Sequence, residues 1–204
     1  AVQRVAPLMV GTSEISAGGR VREVVVAGST ASFMAIRNFQ LAQGRFLPDD
    51  DWRGSAPVAV IGATIQQDVF GNQPAVGQLI RLGDRRLRVI GVLKSTGQGV
   101  GMNTDELVIA PVTLAQSLFN SDNLFRIMVQ ARGRGQIEAA KTQVTAILKA
   151  RHGGEEDVTV ITQDAVLATF DKLLGALTAA VAGIAAISLI VAGILVMNVM
   201  LVAV

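Results

Sequence analysis

LLGALTAAVAGIAAISLIVAGILVMNVMLVAV, residues 173–204, decides how the rest of the chain is read. These 32 residues carry no charge, and all 18 Lys+Arg and all 16 Asp+Glu lie before them. As a helix at ~1.5 Å per residue the run extends about 48 Å, against a hydrocarbon core of about 30 Å. A helix apolar on every side is not stable bare in water. The expected architecture is therefore a soluble domain feeding directly into a transmembrane helix. Residues 173–186 are rich in Gly and Ala, whereas 187–204 are rich in Ile, Leu, Val and Met. The first part reads as a stalk outside the bilayer and the second as the span. Gly175, Ala179 and Gly183 recur every four residues and form a seam on which another helix can approach closely. Asn198 is the one strongly polar group deep in the run, placed either to bond a neighbouring helix or to sit near the interface.

Working back from this run, Asp164 opens a helical pattern through Val166, Leu167, Phe170 and Leu173, with no Pro or Gly before Gly175. One continuous helix is expected from about Asp164 to Val204. The chain begins without Met and stops inside a span, so it reads as a piece of a longer membrane protein, with an earlier span delivering the soluble part across the membrane. Neither a signal peptide nor its cleavage site is visible in AVQRVAPLMV.

The soluble part has mixed charges and a formal net charge of only +2. With few aromatics and no basic run, it does not read as a nucleic-acid binder. Having no cysteine, it lacks disulfides, thiolate metal sites and a Cys nucleophile. His152 is the only histidine, so the chain alone supplies neither a His-based triad nor a two-His zinc site. It falls in the last turn of an expected helix, where a cation is favoured, and reads as structural. Asp49-Asp50-Asp51 lack calcium-loop spacing, since the twelfth residue from Asp49 is Val60 where that loop needs Glu. They read as a solvated turn or cap. No catalytic constellation, cofactor-binding motif or metal site emerges. A membrane-anchored enzyme would need a carboxylate pair, and no spacing singles one out.

Periodicity predicts a hairpin with strands near 7–15 and 20–28 around Gly18-Gly19. A short helix follows, capped by Ser29 or Thr30, then a loop over Leu41–Pro48. Val58–Ile61 reads as a buried strand and Ala63–Phe70 as a helix closed by Gly71. Gln78–Leu82 and Arg86–Leu93 flank Gly83-Asp84 as the clearest hairpin, with Leu87, Val89 and Leu93 on one face and Arg86, Arg88, Ile90 and Val92 on the other. Arg85, Arg86 and Arg88 read either as an anion patch or as charge protecting an edge strand. Gly97, Gly99 and Gly101 lack the Lys-Ser/Thr of a phosphate loop and read as a partner-contact loop. Further on, Glu106–Pro111 and Leu124–Ala131 read as strands, and Val112–Phe119 and 137–151 as helices. Val158–Thr162 reads as a final strand, so that 124–162 makes a β-α-β unit.

Several stretches, in order from about Val5 to Val204, resemble the extracytoplasmic domain and following span of MacB-like ABC-transporter permeases in the FtsX superfamily. They are Gln43-Gly44-Arg45-Phe46, Val58-Ala59-Val60-Ile61-Gly62, Phe70-Gly71 with Pro74-Ala75-Val76-Gly77, Arg88-Val89-Ile90-Gly91-Val92-Leu93, Pro111, and Gly193-Ile194-Leu195-Val196-Met197-Asn198-Val199-Met200-Leu201-Val202. Each is weak alone, and the ordered set is what carries the resemblance. It implies an α+β, two-lobed extracytoplasmic domain: a mixed α/β porter-like lobe from 1–30 and 120–163, an inserted β-rich sabre-like lobe from 31–119, and a stalk and second transmembrane helix from 164–204. It also implies a location in the bacterial cytoplasmic (inner) membrane, with residues 1 to about 172 on the periplasmic or extracellular side.

The resemblance implies partners as well: a cognate ATPase domain or subunit holding ATP and Mg, a second permease copy, membrane lipid and, in MacB-like exporters, a periplasmic adaptor and an outer-membrane channel. The expected role is non-catalytic mechanotransmission driving export of a small molecule, peptide or lipid-linked substrate. The alternatives are an FtsX-like regulator of a cell-wall hydrolase and a lipoprotein-releasing permease.

Overall fold

One long strand, paired with three others, runs through the first part of the chain. β1, Val2–Ala17, turns at Gly18 and Gly19, both at positive φ, into β2, Arg20–Ser29. The computed structural model describes residues 1–49, 56–95, 103–155 and 158–202, and of these not the side chains of 163–169 and 202. It divides into two compact units, Ala1–Gln136 and Ile137–Val204.

In the first unit the order is β1, β2, α1 (Ser32–Arg37), β3 (Leu41–Gly44), β4 (Val58–Ile61), α2 (Ala63–Phe70), β5 (Leu79–Leu82), β6 (Arg85–Leu93), a 3-10 turn at Thr104–Glu106, β7 (Leu107–Pro111), α3 (Val112–Phe119) and β8 (Arg126–Ala131). The ladders close on themselves. β1 pairs antiparallel with β2, β2 parallel with β7, β7 antiparallel with β4, β4 parallel with β6, β6 antiparallel with β5, and β5 antiparallel with β1. A closed ring leaves its six strands without a free edge, the usual remedy for edge pairing. β8 lies outside the ring, on the first half of β1, from Val2↔Ala131 to Leu8↔Arg126. β1 thus serves three ladders, with β8 over Val2–Leu8, with β2 from Met9 onward and with β5 at Ile15 and Ser16.

The alternation of side chains along the strands builds two large cores and a small third cluster of Met9, Val112 and Ala115. On one face Ile15, Val24, Val26, Ile61, Ile80, Leu82, Leu87 and Val89 pack with Ile65 and Val69 of α2 and Leu114 of α3. On the other, Ala6, Leu8, Ala27, Val60, Ile90 and Ile109 pack with Phe33 of α1 and with Phe46 and Leu47. Phe33 stands edge-on to Phe39, centroids 5.2 Å apart. The chain returns there through Asn38 in the left-handed region, and the Phe39 N–H donates to the Met34 carbonyl.

Several expectations are corrected. α1 is capped by neither Ser29 nor Thr30. Its N-cap is Ala31, and the Ser29 hydroxyl donates instead to the Pro7 carbonyl at 2.6 Å, tying β2 to β1. Residues 41–44, read as loop, form β3 against β6. Val92 and Leu93 exchange faces, because β6 carries an extra residue: Ala59 pairs Val89, but Val60 pairs Gly91. This β-bulge resets the alternation. It also requires glycine, since a Cβ on Gly91 would lie 2.3 Å from the Arg45 carbonyl oxygen.

In the second unit α4 runs Ile137–Arg151 and ends at Gly153 and Gly154, both at positive φ. Residues 158–162 form no strand, so the β-α-β unit is not completed. β-branched residues favour strands only where a ladder partner accepts their backbone groups, and none of the described ladders includes them. α5 then runs unbroken from Gln163 to Val202.

Candidate functional site

Among the described residues no three His, Cys, Asp or Glu cluster as metal ligands. His152 sits just past α4, where its N–H donates to the Leu148 carbonyl. Asp49 is exposed; the other two aspartates of the triplet lie outside the described residues.

The feature that stands out is α5. Phe170–Leu201 is long and apolar enough to cross a membrane, with a mean hydropathy of 2.6. Its side chains are exposed throughout. Gly175, Ala179 and Gly183 turn by about 40° at each step, at 3.6 residues per turn, and so share one stripe. A Cβ on Gly175 or Gly183 would meet nothing within 4 Å. Thr178 and Ser188 satisfy their hydroxyls inside the helix, donating to the carbonyls of Leu174 and Ile184 at 2.9 Å each. This removes the penalty of an open hydroxyl in an apolar setting. Asn198 is exposed, about 60° further round than Gly183 by helical geometry.

Gly97, Gly99 and Gly101, expected as a partner-contact loop, lie outside the described residues; the residues on either side of them are described. The Ser95 hydroxyl donates to Asp105 Oδ2 at 2.5 Å, and Asn103 Oδ1 accepts from the Asp105 N–H. The Asp105 backbone passes so close to Gly62, before α2, that a Cβ there would fall 2.3 Å from its carbonyl oxygen. Next to it Arg22 of β2 bridges Asp68 of α2 and Glu106, the latter at 2.8 Å. Residues 103–106 are thus held beside α2 and β2, and Ser95 is tied to them.

The three arginines from the hairpin do not act alike. Arg85 turns to Ser117 of α3 at 2.6 Å and to Asp84 at 3.5 Å. Arg86 and Arg88 point away from the core, and the register sets Arg81 directly opposite Arg86. Arg81 was missed by reading along the sequence, since its partner lies five positions away across the turn. The hairpin register around Gly83-Asp84 was the available signal.

With this geometry in view, residues 1–147 match the model of the MacB-like periplasmic core domain. The chain belongs to that family. Among curated relatives it is 30% identical, over 92% of its length, to the macrolide export ATP-binding/permease protein MacB of Wolinella succinogenes, and 31% identical, over its full length, to that of a Shewanella species. It is 30% identical over 98% of its length to the pyoverdine export ATP-binding/permease protein PvdT of Pseudomonas syringae pv. tomato. It spans only 29–31% of the length of these relatives. Among solved structures, the periplasmic region of MacB from Actinobacillus actinomycetemcomitans superposes with a TM-score of 0.71 at 21% identity, over 83% of this chain and 76% of that one. The extracellular domain of YknZ, a noncanonic ABC-type transporter from Gram-positive bacteria, gives 0.68 at 20% identity, over 79% and 82%. The chain is thus a MacB-like periplasmic domain joined to one candidate membrane helix.

Proposed function

We propose that this chain is the non-catalytic, extracytoplasmic part of an ABC-type exporter permease, with the second transmembrane helix that follows it. ATP is hydrolysed, with Mg, in a cognate ATPase domain or subunit, and α5 carries the resulting motion to the outer domain. The observation that carries this reading is the unbroken helix from Gln163 to Val202, which passes from charged to wholly apolar sequence without a Pro. A hydrogen-bonded rod transmits displacement, whereas a hinge would absorb it.

On this reading the protein sits in the bacterial inner membrane with residues 1 to about 172 outside the cytoplasm. It works as a pair of permease copies, with an adaptor and an outer-membrane channel where the envelope has one. The porter-like lobe is read as residues 1–30 and 120–163, which include the β1–β8 ladder, and the sabre-like lobe as the inserted residues 31–119. The substrate class is a small molecule, peptide or lipid-linked compound. The hydrolase-regulator alternative is less favoured, because the relatives above bear the names of export permeases.

The test replaces Gly175, Ala179 and Gly183 together with Leu in the full-length permease. Bulky side chains would hold the neighbouring helix away from the seam. ATP hydrolysis is expected to persist while export falls at least tenfold, measured in proteoliposomes. Export and coupling equal to those of the parent would overturn the reading.

A further inference from the structure

The outer wall of the ring carries two like-charged pairs of opposite sign, side by side. On β5–β6 Arg81 stands directly opposite Arg86, with Arg88 two rungs further, opposite Leu79. On β1–β2 Glu14 stands directly opposite Glu23. The two hairpins join where Ser16 pairs with Arg81. All five charged side chains are exposed, and they alternate with buried Ile15, Val24, Leu82 and Leu87, which places them on the face away from α2 and α3.

Among the described residues none of these five makes an ion pair. Arg81 Nε donates to the Gly83 carbonyl and Arg88 Nη1 to the Gly77 carbonyl. Like charges directly opposite one another destabilise a ladder. Each pair is relieved by a pair of the other sign at the same spacing, and the ladder gives both pairs that spacing, since residues directly opposite stand about 4.5–5.5 Å apart. Beside the charges, Val21 is 64% exposed and Leu79 57%, apolar surface on the same wall.

We infer that this wall is a contact surface between two copies of the chain, with Arg81 and Arg86 of one copy facing Glu14 and Glu23 of the other about a two-fold axis near Ser16. The surface is self-complementary, as a two-fold interface requires. Exposed ion pairs are individually weak and screened by salt. The contact therefore forms where copies are already held at high local concentration, as membrane helices hold them.

The chain has no cysteine, so Ser16→Cys introduces a single thiol beside the proposed axis. The full chain with that substitution, in lipid vesicles, is expected to be joined into dimers by a short bis-maleimide, with yield falling severalfold as salt rises. Asn72→Cys, exposed after α2, serves as the control and is expected to give at least fivefold less dimer. Adding Glu14→Arg with Glu23→Arg, or Arg81→Glu with Arg86→Glu, is expected to cut the Ser16→Cys dimer at least fivefold. Mixing the two swapped chains is expected to restore it as a heterodimer. Recovery on mixing also shows that both swapped chains are folded, which circular dichroism melts check independently. Equal yields in all backgrounds, or loss without recovery between two swapped chains that melt like the parent, would overturn the inference. The measurement uses no nucleotide or substrate, so its failure leaves the transport reading standing.

Discussion

Gly28 shows how a single residue changes meaning between sequence and structure. In sequence it marks the end of a β-branched run. In the fold it is where α3 meets the sheet, and a Cβ there would fall 2.3 Å from Ala115 Cβ. Gly11, on the same side of the sheet, makes room in the same way for the Phe119 ring. Overpacking a core costs typically 1–3 kcal/mol. Gly28→Ala is therefore expected to destabilise the chain by about 1–3 kcal/mol in urea titration. Adding Ala115→Gly is expected to recover part of the loss, despite about 1 kcal/mol for glycine inside a helix. Purely additive effects would mean that the two positions do not meet. Neither close approach is legible along the chain, because each depends on which helix crosses which strand.

Among the elements, the helices were the most legible. Ala63–Phe70, Val112–Phe119 and Ile137–Arg151 end where glycine or a left-handed Asn stops them. Helical hydrogen bonds are local, so local sequence suffices to place them. Strands depend on a partner, and the expectations failed there in both directions. The short segment at 41–44 became β3 because β6 lies alongside it, while β-branched 158–162 forms no strand. Thr159→Pro removes a backbone donor that no described ladder uses. It is expected to leave the unfolding free energy within about 0.5 kcal/mol, as a surface substitution does. A large loss in denaturation would show that 158–162 pairs after all. The long helix belongs to this scale too, and the Leu triple substitution in its seam tests whether it acts as a rod or only as an anchor.

For the molecule as a whole, the arrangement of two cores on opposite faces of one sheet decides how the first unit unfolds. Phe33 is 1% exposed in one core and Ile61 0% in the other. Cutting Phe33→Ala is expected to cost about 3–5 kcal/mol and Ile61→Ala about 2–5 kcal/mol. Because the strands are shared, both losses should appear in a single transition followed by circular dichroism. Two separately shifting transitions would show that the cores fold apart. The like-charged pairs on the outer wall also belong here: Glu14 and Glu23 are far from Arg81 and Arg86 along the chain and become neighbours only when β5 meets β1.

By itself the sequence determined the division into a mixed, charged domain and an apolar helix, because hydropathy and helical periodicity are carried by neighbouring residues. It also carried the ordered family motifs. Only the tertiary structure decided the closed ring, the change of partner within β1, the bulge at Ile90 and Gly91, and the juxtaposition of charges on the wall. Each of these rests on hydrogen bonds between residues distant in the chain. Which partner a strand finds is set by how the whole sheet closes rather than by its own residues.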